Sequence, residues 1–137
     1  MCPVYLVHRL VGALNIIGGA DMESNVPIYL QISLFIENEI INDRLSIDDK
    51  VPSTNEFSKS MNVNPATAGK GLNELVDQGI LYKKRGLGMF VTEEARSIII
   101  NKRKEYFTEN LLKEFLKEAK QLNISKEELI EKIRSDY

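Results

Sequence analysis

The dipeptide Asn64-Pro65 constrains this chain more than any other feature. It is a helix start with a mechanism. Asn accepts the orphan N–H groups of a first turn, and Pro at the first helical position gives up an N–H that had no partner. From there Ala68, Leu72, Leu75 and Val76 form one apolar stripe, until Gly79 offers a left-handed stop. The opposite face carries Ala66, Thr67, Lys70, Asn73 and Glu74, so it is short, polar and basic near its start. Just upstream, Ser53-Thr54-Asn55-Glu56 fits a capping box that opens another helix, with Phe57 and Met61 as buried positions. Asn62 sits between the two, where a sharp turn needs a left-handed residue. Helix, tight turn, helix is a helix-turn-helix, whose second helix faces outward to suit a major groove.

Two β-like runs follow, Ile80-Leu81-Tyr82-Lys83 and Met89-Phe90-Val91-Thr92. Between them lies the hairpin tip Lys84-Arg85-Gly86-Leu87-Gly88, which with Lys83 brings three consecutive cations to a wing. The net charge of −2 does not announce a nucleic-acid binder, but its distribution does. Residues 1–49 hold two cations and seven anions, residues 50–92 six and three, and residues 93–137 ten of each. The one strongly basic segment is the one that contains the helix-turn-helix and wing, as an electrostatic footprint requires.

Other chemistry finds no support. Gly86-Leu87-Gly88 lacks the third glycine and following helix of a phosphate loop, so it is turn chemistry. His8, the sole histidine, makes no metal set with Cys2. Ser53 has no histidine to activate it, and its capping role stands. No acid–base, metal or nucleophile constellation supports an enzyme, and nothing calls for a cofactor. A winged-helix module that binds another protein is the alternative, but it would present a neutral or apolar helix face in place of Ala66, Thr67, Lys70 and a basic wing. A single cysteine excludes an intramolecular disulfide and fits a reducing cytoplasm.

Around this centre, a first helix is expected from about Pro27 to Asp43, with Ile28, Ile32, Phe35 or Ile36, and Ile40 covering the core. Residues 46–51 read as a turn and short strand able to pair with the wing. From Glu93 the chain turns charged and helical, with Tyr106, Phe107, Leu111, Phe115, Leu116, Ala119 and Leu122 as a broad apolar band. Asn123 allows a turn, and Ser125-Lys126-Glu127-Glu128 caps a last helix that buries Leu129, Ile130 and Ile133. Two short helices cannot enclose a core alone, so their apolar faces need a partner. A symmetric homodimer through Phe107, Leu111, Phe115, Leu116, Leu122, Leu129 and Ile133 supplies one. Residues 1–21 are apolar but interrupted by His8 and Arg9, too short to span a bilayer and without the cationic start of a signal peptide. Met22 resembles an ordinary bacterial start, so 1–21 reads as an upstream extension or cloning remnant, with an added segment packed on the dimer as the alternative.

Val51-Pro52-Ser53, Asn64-Pro65-Ala66-Thr67, Leu75-Val76-Asp77-Gln78-Gly79-Ile80-Leu81 and Arg85-Gly86-Leu87-Gly88-Met89-Phe90-Val91 together resemble the GntR family of bacterial transcription regulators. Pro27-Ile28-Tyr29-Leu30-Gln31-Ile32 strengthens the match, and the short C-terminal part is similar to the YtrA-type subfamily. The resemblance implies a mainly α fold with a small β-hairpin wing. A winged helix-turn-helix domain over 22–92 would be followed by a short helical dimerisation module over 93–137. It implies a repressor that binds double-stranded operator DNA as a homodimer, in a subfamily often encoded beside ABC transporters. The expected DNA contacts are Ser53, Thr54 and Asn55, then Asn64, Ala66, Thr67 and Lys70, and on the wing Lys83, Lys84, Arg85, Gly86 and Gly88. Asn55 and Gly69 stand where many relatives carry DNA-contacting arginines, which shifts the expected operator towards A·T, with Lys70 as the one strong guanine or phosphate contact. Gly69 and Gly71 are expected to let the DNA backbone or the second helix approach closely. No effector domain is visible, so a small-molecule signal would act at the dimer module, at the joint near Glu93–Ser97, or through partner proteins.

Overall fold

The structure, a computed structural model, describes residues 26–137; the N-terminal extension expected over 1–21 lies outside them. Helix α1 spans Ile28–Ile41. Its stripe of Ile32, Phe35, Ile36 and Ile40 is buried, while Ile28 is exposed, so the core begins one turn later than the periodicity suggests. Asp43, in the left-handed region at φ 58°, turns the chain away from the helix end.

Helix α2 covers Thr54–Met61 and α3 covers Pro65–Asp77. Only half of the expected capping box forms at α2. Ser53 Oγ accepts the Glu56 N–H at 3.1 Å, but Glu56 returns no bond among the described residues and its Oε2 is buried without a partner. Asn62 closes α2 in the left-handed conformation at φ 53°. The start of α3 is as read from Asn64-Pro65, with Asn64 Oδ1 accepting the Ala66 N–H at 2.8 Å. Ala68, Leu72 and Leu75 are fully buried. Each leucine contributes about 1.5–3 kcal/mol by leaving water.

Gly79, at φ 80°, delivers the chain to the hairpin β1 (Leu81–Lys84) and β2 (Gly88–Val91), each one residue off the run expected. The register pairs Leu81 with Val91, Tyr82 with Phe90, Lys83 with Met89 and Lys84 with Gly88. The segment before α2 does pair with the wing. Lys50 bridges Phe90, and Val51 N–H donates to Met89 O at 3.0 Å.

Helix α4 spans Ala95–Tyr106, a π turn covers Phe107–Leu111, α5 runs Leu112–Gln121 and α6 Lys126–Asp136. The chain forms two compact units, the first ending at Ile100 and the second Asn101–Tyr137. The boundary expected at 92/93 therefore falls eight residues later. Ala95 and Ile99 are buried in the first unit's core, and Arg96 ties α4 to the end of α1 through Ile41 O at 3.0 Å and Asp43 at 2.8 Å. In the second unit, Asn123 makes the expected left-handed turn and Ser125 with Glu128 completes a reciprocal capping box. Ala119 is its one buried residue. Phe107, Leu111, Phe115, Leu116, Leu122 and Ile133 all stand exposed, Phe107 at 56% and Phe115 at 49%. Leu129 is half-buried, lining with Ile133 a groove of about 410 Å³ between α5 and α6.

Candidate nucleic-acid interface

Three pieces of backbone present the polar residues singled out in the sequence. The first is the start of α2, where Ser53 and Thr54 are half-buried and Asn55 is exposed. Ser53 Oγ accepts the Glu56 N–H, which leaves its own O–H as a donor at the helix start. The second is the first turn and a half of α3, which exposes Asn64, Ala66 and Lys70 and leaves Thr67 half-buried. These two pieces touch. A Cβ built on Gly69 would meet Thr54 Cγ2 at 3.6 Å, an ordinary contact, so α2 lies beside α3 here without needing the missing side chain that the sequence suggested.

Gly71 does something else. A Cβ there would lie 2.4 Å from the Tyr29 carbonyl oxygen, so this glycine admits α1, not DNA or α2. Ser33 Oγ seals the seam by donating to Gly71 O at 2.8 Å, with Tyr29 O a second acceptor at 3.2 Å. Lys70, next in sequence, is then drawn to α1. Its Nζ sits 3.8 Å from the centroid of the Tyr29 ring, an engagement that α3's own periodicity does not reveal.

The third piece is the wing. Its three cations do not form one patch, because successive side chains in a strand point to opposite faces. Lys84 shares a face with the stacked pair Tyr82 and Phe90, its Nζ 4.9 Å from the Phe90 centroid. Lys83 shares the other with Met89. Arg85 and Gly86 stand exposed at the tip, where φ of 77° at Gly86 favours glycine. Gly88, at φ 122°, has Lys50 Cε 2.9 Å from where a Cβ would be, so Lys50 lies along the wing as a further cation. Lys50 adds to the basic balance of 50–92, and the pairing of its segment with the wing, through the bridge to Phe90, brings its side chain to Gly88. Asp48 accepts the Tyr82 phenol at 2.6 Å, and that bond, with the nearby carboxylate charge, raises the Tyr82 pKa above its ordinary value.

Among the described residues no cluster of three or more His, Cys, Asp or Glu could hold a metal ion, and no helix is long and apolar enough to cross a membrane.

Two capped helices crossing at a left-handed Asn, followed by a cation-bearing β-hairpin, define a winged helix-turn-helix protein. Residues 28–91 match the family described as bacterial regulatory proteins, gntR family. The chain is 35% identical over 115 residues to the HTH-type transcriptional regulator YhcF of Bacillus subtilis, covering 84% of this chain and 93% of that one. It is 29% identical to the HTH-type transcriptional repressor YtrA of the same organism, over 83% of this chain and 87% of YtrA. A solved GntR family transcriptional regulator from Listeria monocytogenes superposes with a TM-score of 0.65 at 31% identity, over 83% of this chain and 98% of that one. The chain belongs to the GntR family, whose members are DNA-binding transcription regulators and not enzymes.

Proposed function

We propose that this chain is a cytoplasmic repressor that binds a palindromic operator as a homodimer. The observation that carries the reading is a division of labour along the chain. The basic balance is confined to 50–92, the stretch of the helix-turn-helix and wing. Residues 93–137 carry no net charge, and the second unit within them leaves Phe107, Leu111, Phe115 and Leu116 exposed. An isolated 37-residue unit (Asn101–Tyr137) with so much apolar surface is not stable in water, and a second copy covers it symmetrically. Two-fold symmetry in the protein then matches inverted half-sites in DNA.

In this reading α3 enters the major groove with Asn64, Ala66 and Thr67, and Asn55 reads from the start of α2. Arg85 and the tip glycines Gly86 and Gly88 approach the adjacent backbone or minor groove, flanked by Lys83 and Lys84. The repressor direction rests on the names of relatives such as YtrA. A small-molecule signal, if one is used, would act by changing the spacing of the paired α3 helices. The test is a gel shift with the chain's own upstream promoter DNA, combined with sedimentation of the complex. Two protein chains per duplex with unlabelled operator as the effective competitor support the proposal. Equal competition by random DNA, or one chain per duplex, contradicts it.

A further inference from the structure

Lys70 was expected to read a guanine or a phosphate from the groove face of α3, and its surroundings favour one of these. We propose that Tyr29 is a positioning residue of the DNA interface, which holds Lys70 to the flank of α3 as a phosphate clamp and keeps it from reading bases. The inference rests on the DNA-binding reading above and deepens it.

Gly71 is a point of close approach between α1 and α3. With no Cβ it lets the Tyr29 carbonyl approach to a distance that any other residue forbids, which seats the first turn of α1 directly against α3. Ser33 bonds the carbonyl oxygen of Gly71 across the same seam. The Tyr29 backbone is therefore fixed against α3, and its ring lies under the ammonium of Lys70, the residue that precedes Gly71. An ammonium 3.8 Å from a ring centroid is attracted by the negative face of the ring. A lysine held in this way has less freedom to lose on binding, which favours association. It is also held to the side of the helix that borders α1. Reading guanine O6 and N7 requires the side chain to extend into the groove, away from that ring. A backbone phosphate at the groove edge can be met without leaving it.

The experiment uses the full chain and compares wild type with Tyr29→Leu, Lys70→Gln, the double variant and Tyr29→Phe. Affinity for the selected operator and for random duplex is measured over a salt series, with thermal midpoints as a folding control. Lys70→Gln should weaken operator and random DNA by the same factor and reduce the salt slope by about one. Tyr29→Leu should weaken binding about two- to five-fold when Lys70 is present, and not at all in the Lys70→Gln background. Tyr29→Phe keeps the ring and should bind as wild type. Pentafluorophenylalanine at position 29 preserves shape but removes the negative face, so it should behave as Tyr29→Leu even if the leucine variant folds poorly. Equal losses from Tyr29→Leu in both backgrounds would overturn the proposal, because Tyr29 would then act by itself. A base preference lost at one operator position in Lys70→Gln would also overturn it. A wild type with no operator preference would instead sink the regulator reading, and this inference with it.

Discussion

Gly71→Ala is predicted to destabilise the first unit although it replaces a poor helix former with the best one. In an unconstrained helix the change would gain about 1 kcal/mol. Here the new methyl would sit 2.4 Å from Tyr29 O, 3.3 Å from Tyr29 C and 3.4 Å from Ile32 Cβ. Backbone cannot rotate aside as a flexible side chain does, so α1 and α3 must part by about 1 Å to restore van der Waals distance. That displacement stretches the Ser33 Oγ–Gly71 O bond from 2.8 Å beyond hydrogen-bonding range, losing about 0.5–1.5 kcal/mol. Overpacking of the seam costs a further ~1–3 kcal/mol. Set against the propensity gain, the net loss is about 1–3 kcal/mol. Gly69→Ala is the internal control, since its methyl would meet the Thr54 and Asn73 side chains at no less than 3.6 Å and the helix gain should survive. Urea unfolding at one fixed protein concentration measures both, because an associating protein's midpoint depends on concentration. The expected result is a lower midpoint for Gly71→Ala and an equal or higher one for Gly69→Ala, with unchanged slopes. A Gly71→Ala protein as stable as wild type would refute the close approach and the account of Tyr29 built on it.

Further outcomes are expected elsewhere. Phe115→Glu with Leu116→Lys should yield monomers by light scattering and much weaker operator binding; a persistent dimer would count against the second unit as the interface. Deleting Asn110 should leave the dimer intact, because a π turn holds about one residue more than an α turn and its loss returns regular helix without rotating Leu112–Leu122. Deleting Lys117 within α5 should abolish the dimer, since Ala119 and Leu122 then rotate by about 100° relative to Phe107. On the wing, Lys84→Gln and Arg85→Gln should each lower the salt slope of DNA binding by about one and weaken all sequences alike. Loss of affinity for only one operator sequence would make the altered residue a base reader.

Much of the fold was legible because its punctuation is local. Asn64-Pro65, Asn62, Gly79, Asn123 and the Ser125 box act within a few residues, and each sits in the structure as its chemistry demands. What escaped depends on contacts between distant elements. Ile99 reads as the start of a charged, partner-seeking helix, yet it is buried in the first unit's core. Gly71 looks like a helix weakness until Tyr29, forty-two positions away, is placed against it. Lys83-Lys84-Arg85 reads as one cluster, and only a pairing register divides Lys83 from Lys84. The π turn at Phe107–Leu111 has no composition signal of its own. Of the candidate interface, the helix starts and the wing tip were visible in advance, whereas Lys50 and Tyr29 emerge only from cross-strand and helix–helix contact.

The central claim, a paired winged helix-turn-helix that reads an operator, is tested most directly by selecting bound sites from random duplex DNA with the full chain. The account predicts an inverted repeat whose half-sites are A·T-biased, since Asn55 suits adenine while Ala66 and the Thr67 methyl suit thymine methyls. It predicts further that Asn55→Arg shifts one half-site position towards G. Enrichment of an unpaired single site would contradict the dimer, and two or more invariant G·C pairs per half-site, unchanged in Asn55→Arg, would contradict the reading of the helix face.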